Sequence, residues 1–190
     1  MEKDEYLSKL KDYKLWFDYS EKQLLVAECI LNDSLLSKER LLKIKGEGAS
    51  PDDFVSLWTN SLYHYGVSIE IGLKALIIKY KPDELEANEN PNGIQLKRIG
   101  KGGKTHSLLA LASDAGIFKS IVLKNFQKKE LEEVLDFLSD IIKWGARYPI
   151  PSNSQTMYMF NNKVHWKLVS SFHILDVIEP IFELFRKEKM

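Results

Sequence analysis

The chain has 190 residues, 44% hydrophobic and 11% aromatic, enough to bury one ordinary core without help from disulfides or metal. Lys plus Arg and Asp plus Glu both number 27, which excludes a protein drawn to DNA or an anionic membrane by its overall field, so any nucleic-acid site must be a local patch. A lone cysteine, Cys29, excludes an intramolecular disulfide framework; set in an apolar helical pattern, it reads as a buried, inert thiol in a reducing compartment.

The first residues, Met1-Glu2-Lys3-Asp4-Glu5, are charged and mixed in sign, and no apolar run approaches the roughly 18 residues of a membrane span. These features predict a cytoplasmic protein with no membrane segment. From Tyr6 the apolar positions Tyr6, Leu10, Tyr13, Phe17, Leu24, Ala27 and Leu31 recur on one face of a long first helix, ending between Asn32 and Ser37. A charged segment, 38–48, follows. Ser50-Pro51-Asp52-Asp53 then offers a capping serine, a proline at the first helical position and an acid three residues after the cap.

The central helix that begins there runs to about Lys81, where Pro82 limits it. It is apolar on two sides. Phe54, Trp58, Leu62, Tyr65, Ile69, Leu76 and Tyr80 form one stripe; Tyr63, Val67 and Ile77 lie on another, beside Glu70 and Lys74. Such a helix belongs at the centre of a bundle, and an acid with a lysine one turn on is either a minor surface pair or a buried polar site.

Residues 82–104, with Pro82, Pro91, Asn92-Gly93, Gly100 and Gly102-Gly103, read as a long loop of the kind that is often functional. Thr105 is a candidate cap for a short helix from His106 to about Ala115, closed by Gly116. A fourth helix is predicted over about 128–146, burying Leu131, Val134, Leu135, Leu138, Ile141 and Ile142. Arg147-Tyr148-Pro149-Ile150-Pro151 ends it, opening an irregular segment over 147–162. The last helix carries Val164, Leu168, Phe172, Leu175, Ile178, Phe182 and Phe185 on one face, kinked or split at Pro180. No strand pattern rivals these helices. The predicted fold class is all-α: one domain, 1–190, a bundle of four or five main helices, largely antiparallel.

Several chemical templates fail. Gly100-Lys101-Gly102-Gly103-Lys104-Thr105 lacks the first glycine of a phosphate-binding loop, Arg98 standing where that glycine belongs, and that motif also needs a preceding strand. What remains is an anion-binding possibility, with Arg98, Lys101 and Lys104 near the start of the helix at Thr105. His64, His106, His165 and His173 show no zinc-ligand spacing, and Glu132-Glu133 lies on a face expected to be wet. Neither a metal nor another cofactor is implied.

Three stretches in order carry a family resemblance: the run from Ser68 to Leu76, with Glu70 and Lys74 four apart; Lys104-Thr105-His106-Ser107-Leu108-Leu109; and Trp144-Gly145-Ala146-Arg147-Tyr148-Pro149. Together they resemble the HEPN superfamily, small helical bundles of prokaryotic toxin and antiviral systems. The resemblance implies a homodimer, with RNA and a nucleotidyltransferase-type antitoxin as partners. In the family's catalytic branch it also implies RNA cleavage without metal, by an arginine and a histidine four to six residues apart. That spacing is missing here. His106, Arg147 and Arg98 are the nuclease candidates, and Glu70, Lys74, Lys101, Lys104 and Tyr148 are the binding candidates. The expected function is a non-catalytic or divergent dimeric interaction and nucleic-acid-binding module in a defence or stress system. A metal-independent endoribonuclease is the alternative, and an unrelated helical partner-binding protein the third reading.

Overall fold

The computed structural model describes residues 3–36, 51–91, 93–100, 106–121, 124–145 and 173–190. The described residues are mostly helical, with one small antiparallel sheet among them. In chain order come α1 (Lys3–Lys11), α2 (Tyr13–Leu36), α3 (Pro51–Tyr80), a single 3₁₀ turn (Pro82–Glu84), β1 (Leu85–Asn90) and β2 (Gly93–Ile99). They are followed by α4 (Leu108–Ala115), α5 (Ile117–Ser120), α6 (Asn125–Asp140) and α7 (His173–Lys189).

α3 is the axis, as its two apolar sides require. Leu62, Tyr65, Ile69, Leu73, Leu76 and Ile77 are buried in one continuous core with Phe17 and Ala27 of α2, Leu108 and Leu111 of α4, Leu131 to Leu138 of α6, and Ile178, Phe182 and Phe185 of α7. α2 reaches α3 closely because small residues meet there. Ser61 Oγ donates to the Ala27 carbonyl at 2.8 Å, and Ser20 and Ser68 exchange bonds, each hydroxyl donating to the other's carbonyl at 2.8 and 2.7 Å. These serines are buried, and the reciprocal pairing satisfies them without water.

Four sequence expectations are corrected. The single first helix is two, because the Asp12 carboxylate accepts from Lys14 N at 3.1 Å and Leu15 N at 3.4 Å, starting α2 anew. Trp16 Nε1 spans the break to the Leu10 carbonyl at 3.0 Å. Cys29 is exposed, not buried; the buried positions of α2, such as Phe17 and Ala27, lie on its other side. Tyr80 is exposed and donates to Glu188 of α7, leaving the apolar stripe at its last turn.

The fourth correction is the largest. Much of the expected loop 82–104 is the β1–β2 hairpin, with Leu85 opposite Ile99, Glu86 opposite Arg98 and an irregularity between Glu86 and Ala87. Residues on β2 alternate between exposed and partly buried, the period of a half-covered strand. Ile99, at its end, is fully buried.

α4 starts at Leu108, two residues later than expected, and Gly116 closes it in the left-handed conformation at φ 77°. α6 begins at Asn125 and passes into a π turn, Ile141–Gly145. α7 runs through Pro180 without interruption. The expected segment 147–162 lies outside the described residues. Among the described residues no helix is long and apolar enough to cross a membrane.

Candidate functional site

Glu70 sits on α3 on the side turned toward the start of α4, and it is buried. Its carboxylate meets two cations or potential cations. Lys74, one helical turn on, places Nζ 2.5 Å from Oε1. His106, just before α4, places Nδ1 3.1 Å from Oε1 and 3.0 Å from Oε2. Burial alone raises the pKa of such a carboxyl, but the Lys74 charge and the hydrogen bonds from Lys74 and His106 outweigh it, and Glu70 is held below the usual glutamate range.

Exposure grades outward through the three groups. The Glu70 side chain is 9% exposed, Lys74 19% and His106 47%. A buried carboxylate thus carries an imidazole that solvent can reach. The arrangement can hold an imidazole in one orientation and lend it negative charge, which is what a proton-transfer or hydrogen-bonding histidine requires.

Local structure explains why His106 arrives at this place. Ser107 caps α4, its hydroxyl accepting from Ala110 N at 3.3 Å. Leu108 N donates to Ser139 Oγ at 2.8 Å, and that hydroxyl donates onward to the Leu135 carbonyl at 2.7 Å. Ser139 of α6 therefore pins the first residue of α4, and through it the histidine two positions earlier. The sequence points to Thr105 as the cap, but the cap is Ser107, and Ser139 was not anticipated. Ser139 lies beside the apolar stripe of α6, and a polar residue there was its signal.

The same caps alter the anion site expected at this helix start. The α4 amides of Leu108 and Ala110 are already engaged by Ser139 and Ser107. Thr105, Lys101 and Lys104 lie outside the described residues. So do Arg147 and Tyr148.

Arg98 lies on β2, where its guanidinium pairs with Glu86 across the hairpin. Among the described residues no hydrogen bond or ion pair links Arg98 to His106. Of the candidate residues, the structure therefore brings together Glu70, Lys74 and His106, and places Arg98 in a separate pair. Among the described residues no cluster of three or more His, Cys, Asp or Glu side chains could hold a metal ion.

A second feature lies on the side of α1 and α2. A cleft of about 330 Å³ is lined by residues of α1 and α2, among them Tyr6, Lys9, Leu10, Trp16 and Tyr19, and by Ile71 of α3. No protein family, curated protein or solved structure matches the chain.

Proposed function

We propose that this chain is a divergent HEPN-type bundle that acts as a dimeric interaction and RNA-binding module in a prokaryotic defence or stress system, with His106 as the side chain offered to RNA. The observation that supports it is the bonding of Glu70 to both Lys74 and His106. Glu70 and Lys74 of one stretch that carries the family resemblance thereby meet His106 of another in one polar site. An exposed imidazole whose Nδ1 is held by a buried carboxylate can accept a hydrogen bond from an RNA 2′-hydroxyl at Nε2. The partner protein that the resemblance implies is a nucleotidyltransferase-type antitoxin.

One observation favours metal-independent RNA cleavage as a second reading: His106 is both solvent-accessible and oriented by a carboxylate, the condition of a general acid or base. Such chemistry also needs a cation at the developing phosphate charge. Arg98 is paired with Glu86, so the second reading depends on Arg147.

The test uses the purified full chain in EDTA with mixed RNA, wild type beside His106→Ala. RNA binding that weakens by about tenfold in the variant, equivalent to about 1.4 kcal/mol, is expected, with a dimer by sedimentation. Cleavage by wild type that His106→Ala abolishes would establish the nuclease. Absence of RNA binding and of cleavage would overturn both readings.

A further inference from the structure

An imidazole can present either ring nitrogen as its unprotonated atom, and its neighbours decide which. At His106 the neighbour is a carboxylate whose two oxygens both face Nδ1, at 3.0 and 3.1 Å. Lys74 salt-bridges that carboxylate from the adjacent turn. An ionised carboxylate only accepts hydrogen bonds. The proton of the shared bond must therefore sit on Nδ1.

We infer that Glu70, itself held by Lys74, is a positioning residue that fixes His106 in the Nδ1–H tautomer and leaves Nε2 as its unprotonated, ligand-facing atom. An imidazole without such a partner prefers the opposite tautomer, with the proton on Nε2. The fold therefore inverts the intrinsic preference, and it does so with a carboxylate from a different helix, 36 positions earlier in the chain. Ser139 supports the same geometry from the other side by anchoring Leu108. Side chains of α3 and α6 thus bear on the position of this one exposed ring at the start of α4. The ligand's identity as RNA rests on the function proposed above; the tautomer does not.

The experiment is nitrogen NMR of the ¹⁵N-histidine-labelled full chain at about pH 8.5, above the ordinary histidine range, without RNA. His106→Ala assigns the signal among the four histidines. The expected spectrum shows a protonated Nδ1 and a bare Nε2 at His106. In Glu70→Gln the amide can donate as well as accept, so the preference weakens toward a mixture of tautomers. Dominance of the Nε2–H form in the wild type overturns the inference, as does a Glu70→Gln spectrum identical to wild type. If the glutamine variant proves too unstable to record, the wild-type tautomer alone decides.

An oligoribonucleotide added to the wild-type sample separates the two claims. Movement of Nε2 with Nδ1 unchanged is expected, and movement of Nδ1 alone overturns the positioning role. A spectrum with the expected tautomer and no response to RNA would sink the RNA reading while upholding Glu70 as the residue that sets the tautomer.

Discussion

The ring of Phe185 on α7 lies directly against the backbone of α3 at Gly72, and a Cβ placed on Gly72 would fall inside the ring's van der Waals surface. The contact fixes how deeply α7 beds on the central helix. It also explains a glycine at mid-helix, where it costs about 1 kcal/mol relative to alanine.

Gly72→Ala accordingly destabilises the protein despite the better helix propensity of alanine. Overpacking of this kind costs about 1–3 kcal/mol, and chemical denaturation should show a net loss within that range. Phe185→Leu in the same chain should recover part of the loss, since the flat ring is what the methyl strikes. A stabilised Gly72→Ala would mean that α7 is free to lift. At Gly66 a Cβ would meet Ile142 Cγ1 and Cδ1 at 2.8 and 2.9 Å, a milder overlap than at Gly72, so Gly66→Ala should cost less.

The reciprocal bonds between Ser20 and Ser68 predict strong coupling. Each hydroxyl donates to the other residue's carbonyl, and both residues are buried. Ser20→Ala or Ser68→Ala alone leaves one buried carbonyl without its hydroxyl donor, at a cost of about 1–2 kcal/mol. The two hydroxyls also lie 3.2 Å apart, a contact that either single change removes, so the double variant should lose less than the sum of the two. Additive losses in a denaturant series would show that the two hydroxyls act independently.

The sequence displayed the core more clearly than the site, for reasons that particular residues make plain. Leu62, Ile69 and Leu76 sit at helical spacing, and they are buried as that spacing requires. Glu70 and Lys74 were visible as a pair one turn apart, and His106 as a helix-start residue. That they meet depends on how α3 and α4 pack, over 36 residues of separation, and no local pattern encodes such a distance. The β1–β2 hairpin escaped for a different reason. β1 reads Leu-Glu-Ala-Asn-Glu-Asn, which contains no β-branched or aromatic residue, and its strand conformation comes from pairing with β2. Asp12 looked like one more polar residue on a helix surface, because a mid-chain cap differs from a surface acid only in its backbone.

Tyr65 gives an alkaline signature. Burial, with the charges of Glu28 and Glu179, pushes its phenol up to about 12. A phenol whose folded pKa lies above its unfolded value of about 10 contributes stability that is complete below that unfolded value and is lost as pH rises toward the folded one. Ultraviolet titration should therefore show Tyr65 ionising late or together with unfolding, and Tyr65→Phe should remove that step. Ionisation of all eight tyrosines near pH 10 with the fold intact would contradict the buried phenol.

The Glu70 network should govern the acid limb of stability. With Lys74→Met, the buried carboxylate keeps only the His106 bond, and loss of one partner of a buried pair costs about 3–5 kcal/mol; partial exposure of Lys74 puts the expected loss near the lower end. The sign of the pH dependence follows from the depressed pKa of Glu70. Above the ordinary glutamate value of about 4.3 the carboxylate is ionised in both folded and unfolded chains, and its native bonds contribute in full. As pH falls through that value toward the lower folded one, the unfolded chain takes up the proton first, and the contribution fades. Thermal melts between about pH 7 and pH 3 should show wild type losing more stability than Glu70→Gln, whose amide cannot titrate. Parallel acid limbs in the two proteins would place the acid sensitivity elsewhere, at carboxylates such as Glu188, whose bonds from Lys79 and Tyr80 also hold it low.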